Sequence, residues 1–237
     1  MRGSLKNKRP RQRILVVAAH PDDEVLGCGG TMARYAREGH AVFSLILGQG
    51  VESRNVDQRM QSRQIRRLLK ESDLANQVLG VRKVYRYSFP DNKFDSVPLL
   101  EIVKAIEAVK RMVGPRIVFT HHAHDVNIDH QITFKASLAA FRPLPGEHIQ
   151  EFYSFYVQSS TDWQSPAHGL VFSPTSFVNV TSTIQRKVRA LQAHKSEIRD
   201  YPHPRSAKGV LIEAERTGLI VGLEKAEAFE LIRSIRF

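Results

Sequence analysis

The sequence predicts an α/β protein with a Rossmann-like, mostly parallel sheet flanked by helices and an extended, less regular C-terminal portion. Three observations carry this reading. Residues 14–19 form a continuous apolar run, the pattern of a parallel strand buried on both faces. Further short apolar runs alternate with stretches of helical spacing through the first half of the chain. Gly39, Gly80 and the pair Gly114-Pro115 stand where those helices should stop.

Taken in order, the strand at 14–19 leads to a helix over about 26–38 that Gly39 ends. Residues 41–47 read as the second strand. Residues 55–79 have long helical spacing, with Ile65, Leu68, Leu69, Leu74 and Val78 as its apolar positions. A short third strand at 83–87 follows. The helix predicted over 99–112 places Ile102, Ala105, Ile106 and Val109 on one face, and the fourth strand occupies 116–120. A helical stretch at 131–140 comes next. Beyond it, 148–157 and 176–180 read as strands and 182–198 as a helix that Ser182 can cap. Pro202, Pro204 and Gly209 mark a loop, and the segment from Ala226 fits helix or strand equally. Repeated βα units imply right-handed crossovers. With no internal repeat and no low-complexity linker, residues 14–237 are expected to form one domain behind a basic tail at 1–13.

Composition narrows the class. A chain of 237 residues with 42% hydrophobic and 25% charged residues can bury a continuous core. No apolar run approaches the roughly 18 residues needed to cross a bilayer. The run at 14–19 is too short for the core of a signal peptide, so a cytoplasmic protein is expected. Cys28 is the single cysteine, which excludes an intrachain disulfide and fits a reducing compartment. Of the net charge of +11, six basic residues sit in the first 13 positions with no acid; the remaining 29 basic and 24 acidic residues leave +5. Such a tail is either a solvated terminus or a contact for an anionic surface. The sequence holds no nucleic-acid motif, and no nucleic-acid partner is expected. A homo-oligomer stays open.

The chemistry concentrates at two strand ends. The first strand runs into Ala19-His20-Pro21-Asp22-Asp23-Glu24, followed by Gly27, Gly29 and Gly30. The fourth runs into Thr120-His121-His122-Ala123-His124-Asp125-Val126-Asn127-Ile128-Asp129-His130. Ligands of open α/β sheets bind beyond the carboxyl ends of strands, near the switch in strand order, so both clusters could face one crevice. Imidazole and carboxylate suit zinc, and three protein ligands with an open fourth position mark a catalytic site. A plainer alternative exists for each cluster alone: a His-Pro turn, with Asp22 or Asp23 capping the next helix. The glycines do not have the G-x-G-x-x-G spacing of a dinucleotide loop.

These residues resemble the PIG-L/LmbE-like zinc-dependent N-acetylglucosaminyl deacetylases. The likeness rests on Ala19-His20-Pro21-Asp22-Asp23-Glu24 with Gly29-Gly30 and the Asp129-His130 pair. It extends through Leu79-Gly80-Val81, Phe89-Pro90-Asp91-Asn92 and Ala226-Glu227-Ala228-Phe229. The resemblance implies a metal-dependent hydrolase that removes an N-acetyl group from an amino sugar. It implies Zn2+ held by His20, Asp23 and His130, with Asp22 as general base. A zinc amidase or esterase acting on a non-sugar acyl substrate would use the same chemistry.

Two departures from the family pattern stand out. Asn127 occupies the place where many members have a histidine; an amide can donate a hydrogen bond but cannot act as an acid. His121, His122 or His124 is then available for that role. Asp129 is either an orienting carboxylate behind a ligand or a helix cap. Leu68 stands where the family often has an arginine, three residues before Glu71, while Arg66 and Arg67 lie beside it. The remaining candidates for substrate contact are Arg54, after the second strand, and His203 and Arg205. The segment Tyr201-Pro202-His203-Pro204-Arg205-Ser206 should hold an extended backbone, presenting a guanidinium to phosphate or carboxylate. Trp163 is a candidate sugar platform or a core residue, and Cys28 a small packing residue. Together with the residual positive charge, these features favour a nucleotide-linked or phosphorylated amino-sugar precursor of surface polysaccharide.

Overall fold

The computed structural model describes residues 11–50, 58–165 and 171–237, with backbone alone at 58–62. Arg54 and most of the basic tail lie outside the described residues. Seven strands form one sheet: β1 (Arg13–Ala18), β2 (Ala41–Gly48), β3 (Lys83–Phe89), β4 (Ile117–His121), β5 (Glu151–Phe155), β6 (Ser176–Asn179) and β7 (Ala226–Ser234). Their order is β3-β2-β1-β4-β5-β7-β6. The first five run parallel, and β7 lies antiparallel between β5 and β6.

The apolar run at the start of the chain explains the two-sided core. Successive strand residues point to opposite faces. Ile14 and Val16 therefore enter one layer, where they meet Val25, Leu26 and Met32 of α1 (Asp23–Arg37) and the helices α2 (Gln58–Leu79) and α5 (Ile184–Ala193). Leu15 and Val17 enter the other, with Ile102, Ile106 and Val109 of α3 (Leu99–Val113) and Ile132 of α4 (Ile128–Ala140). All four strand residues are fully buried. Each such side chain contributes on the order of 1.5–3 kcal/mol relative to exposure.

Several elements differ from expectation. Helix α1 begins at Asp23, three residues before the predicted start, and is broken at Cys28, whose backbone is non-helical (φ −147°, ψ 24°). The glycines around the break serve close approach. A Cβ on Gly27 would lie 2.3 Å from the Phe155 ring, and one on Gly30 2.9 Å from Val180. The break interrupts the helical ladder, and Glu227 of β7 repairs it by accepting the amides of Gly30 and Thr31 at 2.9 and 2.7 Å. Lys187 of α5 completes the clamp, donating to Glu227 at 2.7 Å and to the Leu26 carbonyl at 2.7 Å.

The loop expected around Gly209 is instead the first turn of α6 (Ala207–Ile220), capped by Ser206, whose side chain accepts from the Gly209 amide at 2.9 Å. A Cβ on Gly209 would lie 2.5 Å from the Pro204 carbonyl oxygen, so the residue that argues against a helix is the one its entry requires. The segment before it is not extended. The His203 amide donates to Asp200 and the Ser206 amide to His203, which makes two successive turns. Prolines suit turn positions as well as extended ones. Thr183 rather than Ser182 precedes α5, and the segment from Ala226 is the strand β7. Among the described residues no helix is long and apolar enough to cross a membrane.

Candidate active site

Strands β1 and β4 are hydrogen-bonded neighbours, so the two clusters leave adjacent carboxyl ends and share one crevice. The turn after β1 fixes the first cluster. Asp22 adopts a left-handed backbone (φ 106°, ψ −26°), which a non-glycine residue rarely does. It occupies the cap position of α1 yet makes no side-chain cap bond. Glu24 accepts the Asp22 amide at 3.1 Å, and Asp23 accepts the His20 amide at 2.8 Å. The neighbouring carboxylates thus take over the local backbone bonds and free the Asp22 carboxyl to turn into the cavity.

Nδ1 of His20 lies 3.4 Å and Nε2 of His130 3.2 Å from the same Asp23 oxygen. Ligand atoms from these three residues lie within 4.8 Å of one another. Each imidazole has a carboxylate behind it. Nε2 of His20 is 2.9 Å from Asp129, and Nδ1 of His130 is 3.2 Å from Asp125. Both carboxylates are themselves fixed. Asp129 accepts the amides of Asn92 and Phe94, and Asp125 accepts the Asn127 amide and the hydroxyls of Ser160 and Thr161. Such outer partners set the tautomer and orientation of a metal-binding imidazole.

A second group, His20, Asp91 and Asp129, also brings potential ligand atoms together. It would take Nε2 of His20, the nitrogen that faces Asp129, and so remove the backing from that ring. The first group keeps both backings intact. Its donor set, two imidazoles and one carboxylate, is one that zinc accepts. The surroundings fit a cation as well: Asp22, Asp23, Asp91, Asp125 and Asp129 are all buried within this cluster. Arg205 is the one fixed positive charge among the described residues lining the cavity.

The electrostatics follow from that crowding. Burial disfavours a charged His20 ring, but the carboxylates of Asp129, Asp23 and Asp91 outweigh it and raise the pKa well above the ordinary imidazole value. Burial likewise opposes the charged form of His130, and Asp23 and Asp125 raise its pKa to about 9. Burial pushes Asp22 up to about 7, with Arg205 acting in the opposite sense. Burial also works against the Asp125 carboxylate, yet His130 and Ser160 hold it down at about 2.

The cavity has a volume of about 160 Å³ and is lined by His20, Asp22, Asp23, Asp91, Asn127, His130, Glu197 and Arg205, among others. Asn127 caps α4: its side-chain oxygen accepts the Asp129 amide at 2.8 Å, which corrects the reading of Asp129 as the cap. The Asn127 nitrogen lies 3.3 Å from the Asn92 side-chain oxygen. Arg205 enters the cavity and donates to Asp22 at 3.1 Å and to Ser159 at 2.6 Å.

His124 and His203 are not among the lining residues. The His124 ring packs near His122, and His203 accepts the Arg205 amide and packs against the exposed Trp163. His121 is fully buried, stacks on His130 at 3.9 Å and accepts the Ala19 amide at 2.9 Å. His122 faces Glu230 at 2.8 Å. Leu68 lines the cavity where an arginine was the family expectation. Sequence reasoning gave no role to Asp125, Asp91 or Glu197. The signal for Asp125 was present: two candidate ligand histidines call for two backing acids, and the loop before His130 carries a second aspartate.

The chain is similar to known proteins in sequence and in fold. Residues 15–141 match the family PIG-L, described as GlcNAc-PI de-N-acetylase. The uncharacterized deacetylase YaiS of Escherichia coli (strain K12) is 26% identical over 200 residues, covering 81% of this chain and 95% of that protein. The probable N-acetyl-alpha-D-glucosaminyl L-malate deacetylase 2 of Bacillus cereus is 24% identical over 190 residues, covering 78% and 84% of the two chains. In fold, the N,N'-diacetylchitobiose deacetylase from Pyrococcus horikoshii is similar with a TM-score of 0.76 at 20% identity, over 94% of this chain and 84% of that one.

Proposed function

The chain belongs to the PIG-L family, and from that premise we propose that it removes the N-acetyl group of an amino sugar carried on a phosphorylated or nucleotide-linked precursor of surface polysaccharide. It is a hydrolytic N-deacetylase of a family that is typically metal-dependent. The observation that carries the reading is the convergence of His20, Asp23 and His130, each imidazole backed by a carboxylate, with Asp22 beside them in one small cavity.

His20, Asp23 and His130 hold the metal in this reading, zinc being the ion that suits the set. Bound there, zinc supplies Lewis acidity toward an amide carbonyl and lowers the pKa of water. Asp22 takes the proton of the attacking water and returns it to the leaving amine. The Arg205 guanidinium favours the ionised form of Asp22, which burial alone would neutralise. With its oxygen committed to the α4 cap and one N–H donated to Asn92, Asn127 has a second N–H for the carbonyl oxygen as charge develops there. The anionic aglycone is supported by the residual positive charge of the chain. It is supported also by the B. cereus relative, whose name gives an L-malate conjugate as its substrate.

The test is direct. Zinc-loaded protein is incubated with N-acetylated amino sugars, free, phosphorylated and nucleotide-linked, and released acetate is assayed. Release from none of them, with release from a non-sugar N-acyl or ester substrate, would replace this reading with the general amidase or esterase.

A further inference from the structure

We infer that the cationic face of α2 is the recognition surface for the phosphate of the substrate's aglycone. This rests on the amino-sugar deacetylase reading above. Arg63, Arg66, Arg67 and Lys70 follow the i, i+3, i+4, i+7 spacing that puts side chains on one helix face. All four are exposed and line a shallow concavity of about 390 Å³ together with Glu71. The face contains four like-charge pairs at three- or four-residue separation, each of which costs helix stability. The one acid in the concavity, Glu71, is largely buried and already engaged by Arg67 at 2.8 Å and by Ser196 at 3.1 Å. Among the described residues no acid forms an ion pair with Arg63, Arg66 or Lys70.

The bond from Ser196 to Glu71 brings the segment after α5 against this face. The same two segments reach the catalytic cavity, through Leu68 of α2 and through Glu197. Because α2 follows β2 in a parallel βα unit, its N-terminal half stands at the carboxyl end of the sheet, where the cavity lies. A phosphate ester meets there several guanidinium groups that can form charge-assisted bonds. Arg205, by contrast, has its charge directed at Asp22 inside the cavity.

The test compares wild type with the triple variant Arg63→Ala/Arg66→Ala/Lys70→Ala, which leaves the Arg67–Glu71 pair in place. The readout is the ratio of kcat/KM for N-acetylglucosamine 1-phosphate to that for N-acetylglucosamine, measured on metal-loaded protein at low salt. The ratio should fall about tenfold or more in the variant, the scale of lost charge-assisted bonds. In wild type it should fall toward that of the variant as salt rises. An unchanged ratio overturns the inference. So does loss of binding to phosphatidylglycerol vesicles with the ratio intact, which would make the face a membrane contact. If neither sugar is deacetylated, the functional reading fails by itself. Broadening of the 31P resonance of inorganic phosphate then decides the surface: broadening in wild type alone sustains it, and equal or no broadening in both proteins rejects it.

Discussion

Arg205 donates to the carboxylate of Asp22 at 3.1 Å, joining residues 183 positions apart in the chain. Burial pushes Asp22 upward and the guanidinium pulls the other way. In the proposed role of base, Asp22 works only when deprotonated, so turnover should rise with pH through an acid limb. Arg205→Ala removes the cation that favours the ionised form and should move that limb to higher pH. A pH profile of kcat/KM for both proteins checks this; a limb that stays in place disconnects Arg205 from the base. Asp22→Asn should keep metal and fold while losing roughly 10²–10⁴-fold in rate.

The metal assignment makes a graded prediction. His20→Ala, Asp23→Ala and His130→Ala should each lose stoichiometric metal by elemental analysis. Asp125→Asn and Asp129→Asn keep the ligands but weaken their backing, and should lower metal affinity by about 10–100-fold. Full zinc occupancy in all three ligand variants would place the ion elsewhere.

Asn127 combines two roles that a pair of substitutions can separate. Asn127→Ala removes the α4 cap and should cost about 1 kcal/mol of stability in a denaturant titration. Asn127→Asp keeps a capping oxygen and removes the amide donor. It should preserve stability yet lower kcat if that donor serves the carbonyl oxygen. Equal turnover in Asn127→Asp and wild type would leave the residue a cap alone.

The fold was largely legible because its signals are local. The run at 14–19 alternates between two helical layers, and Gly39 sits at a positive φ of 88° just past α1, as a helix stop requires. What escaped was settled by distant partners. Nothing near Gly209 announces a helix, because Ser206 and the Pro204 carbonyl make sense of it only in three dimensions. The segment from Ala226 could not be assigned without β5 and β6 on either side. The site shows the same division. His20, Asp22, Asp23 and His130 stand out by motif. Glu197 joins them, and Arg205 meets Asp22, only because separate segments converge on one cavity.

The clamp on α1 predicts a large stability effect. Glu227→Ala leaves the Lys187 ammonium buried with one lost partner and strands the amides of Gly30 and Thr31. Breaking a buried pair on one side costs about 3–5 kcal/mol. Chemical denaturation should register it, and a loss below about 1 kcal/mol would show that water replaces the carboxylate.

That clamp also orders events during synthesis. His20 and Asp23 leave the ribosome early, beside a helix break whose Gly30 and Thr31 amides lack their acceptor until residue 227 follows, 197 positions after Gly30. Domains assemble as units while chains elongate at roughly 5–20 residues per second. A nascent chain halted before β7 therefore carries the proposed ligands and base without the carboxylate that steadies the helix beside them. Competence to hold the ion should appear near the end of translation, which ribosome-bound chains of graded length can reveal through zinc uptake.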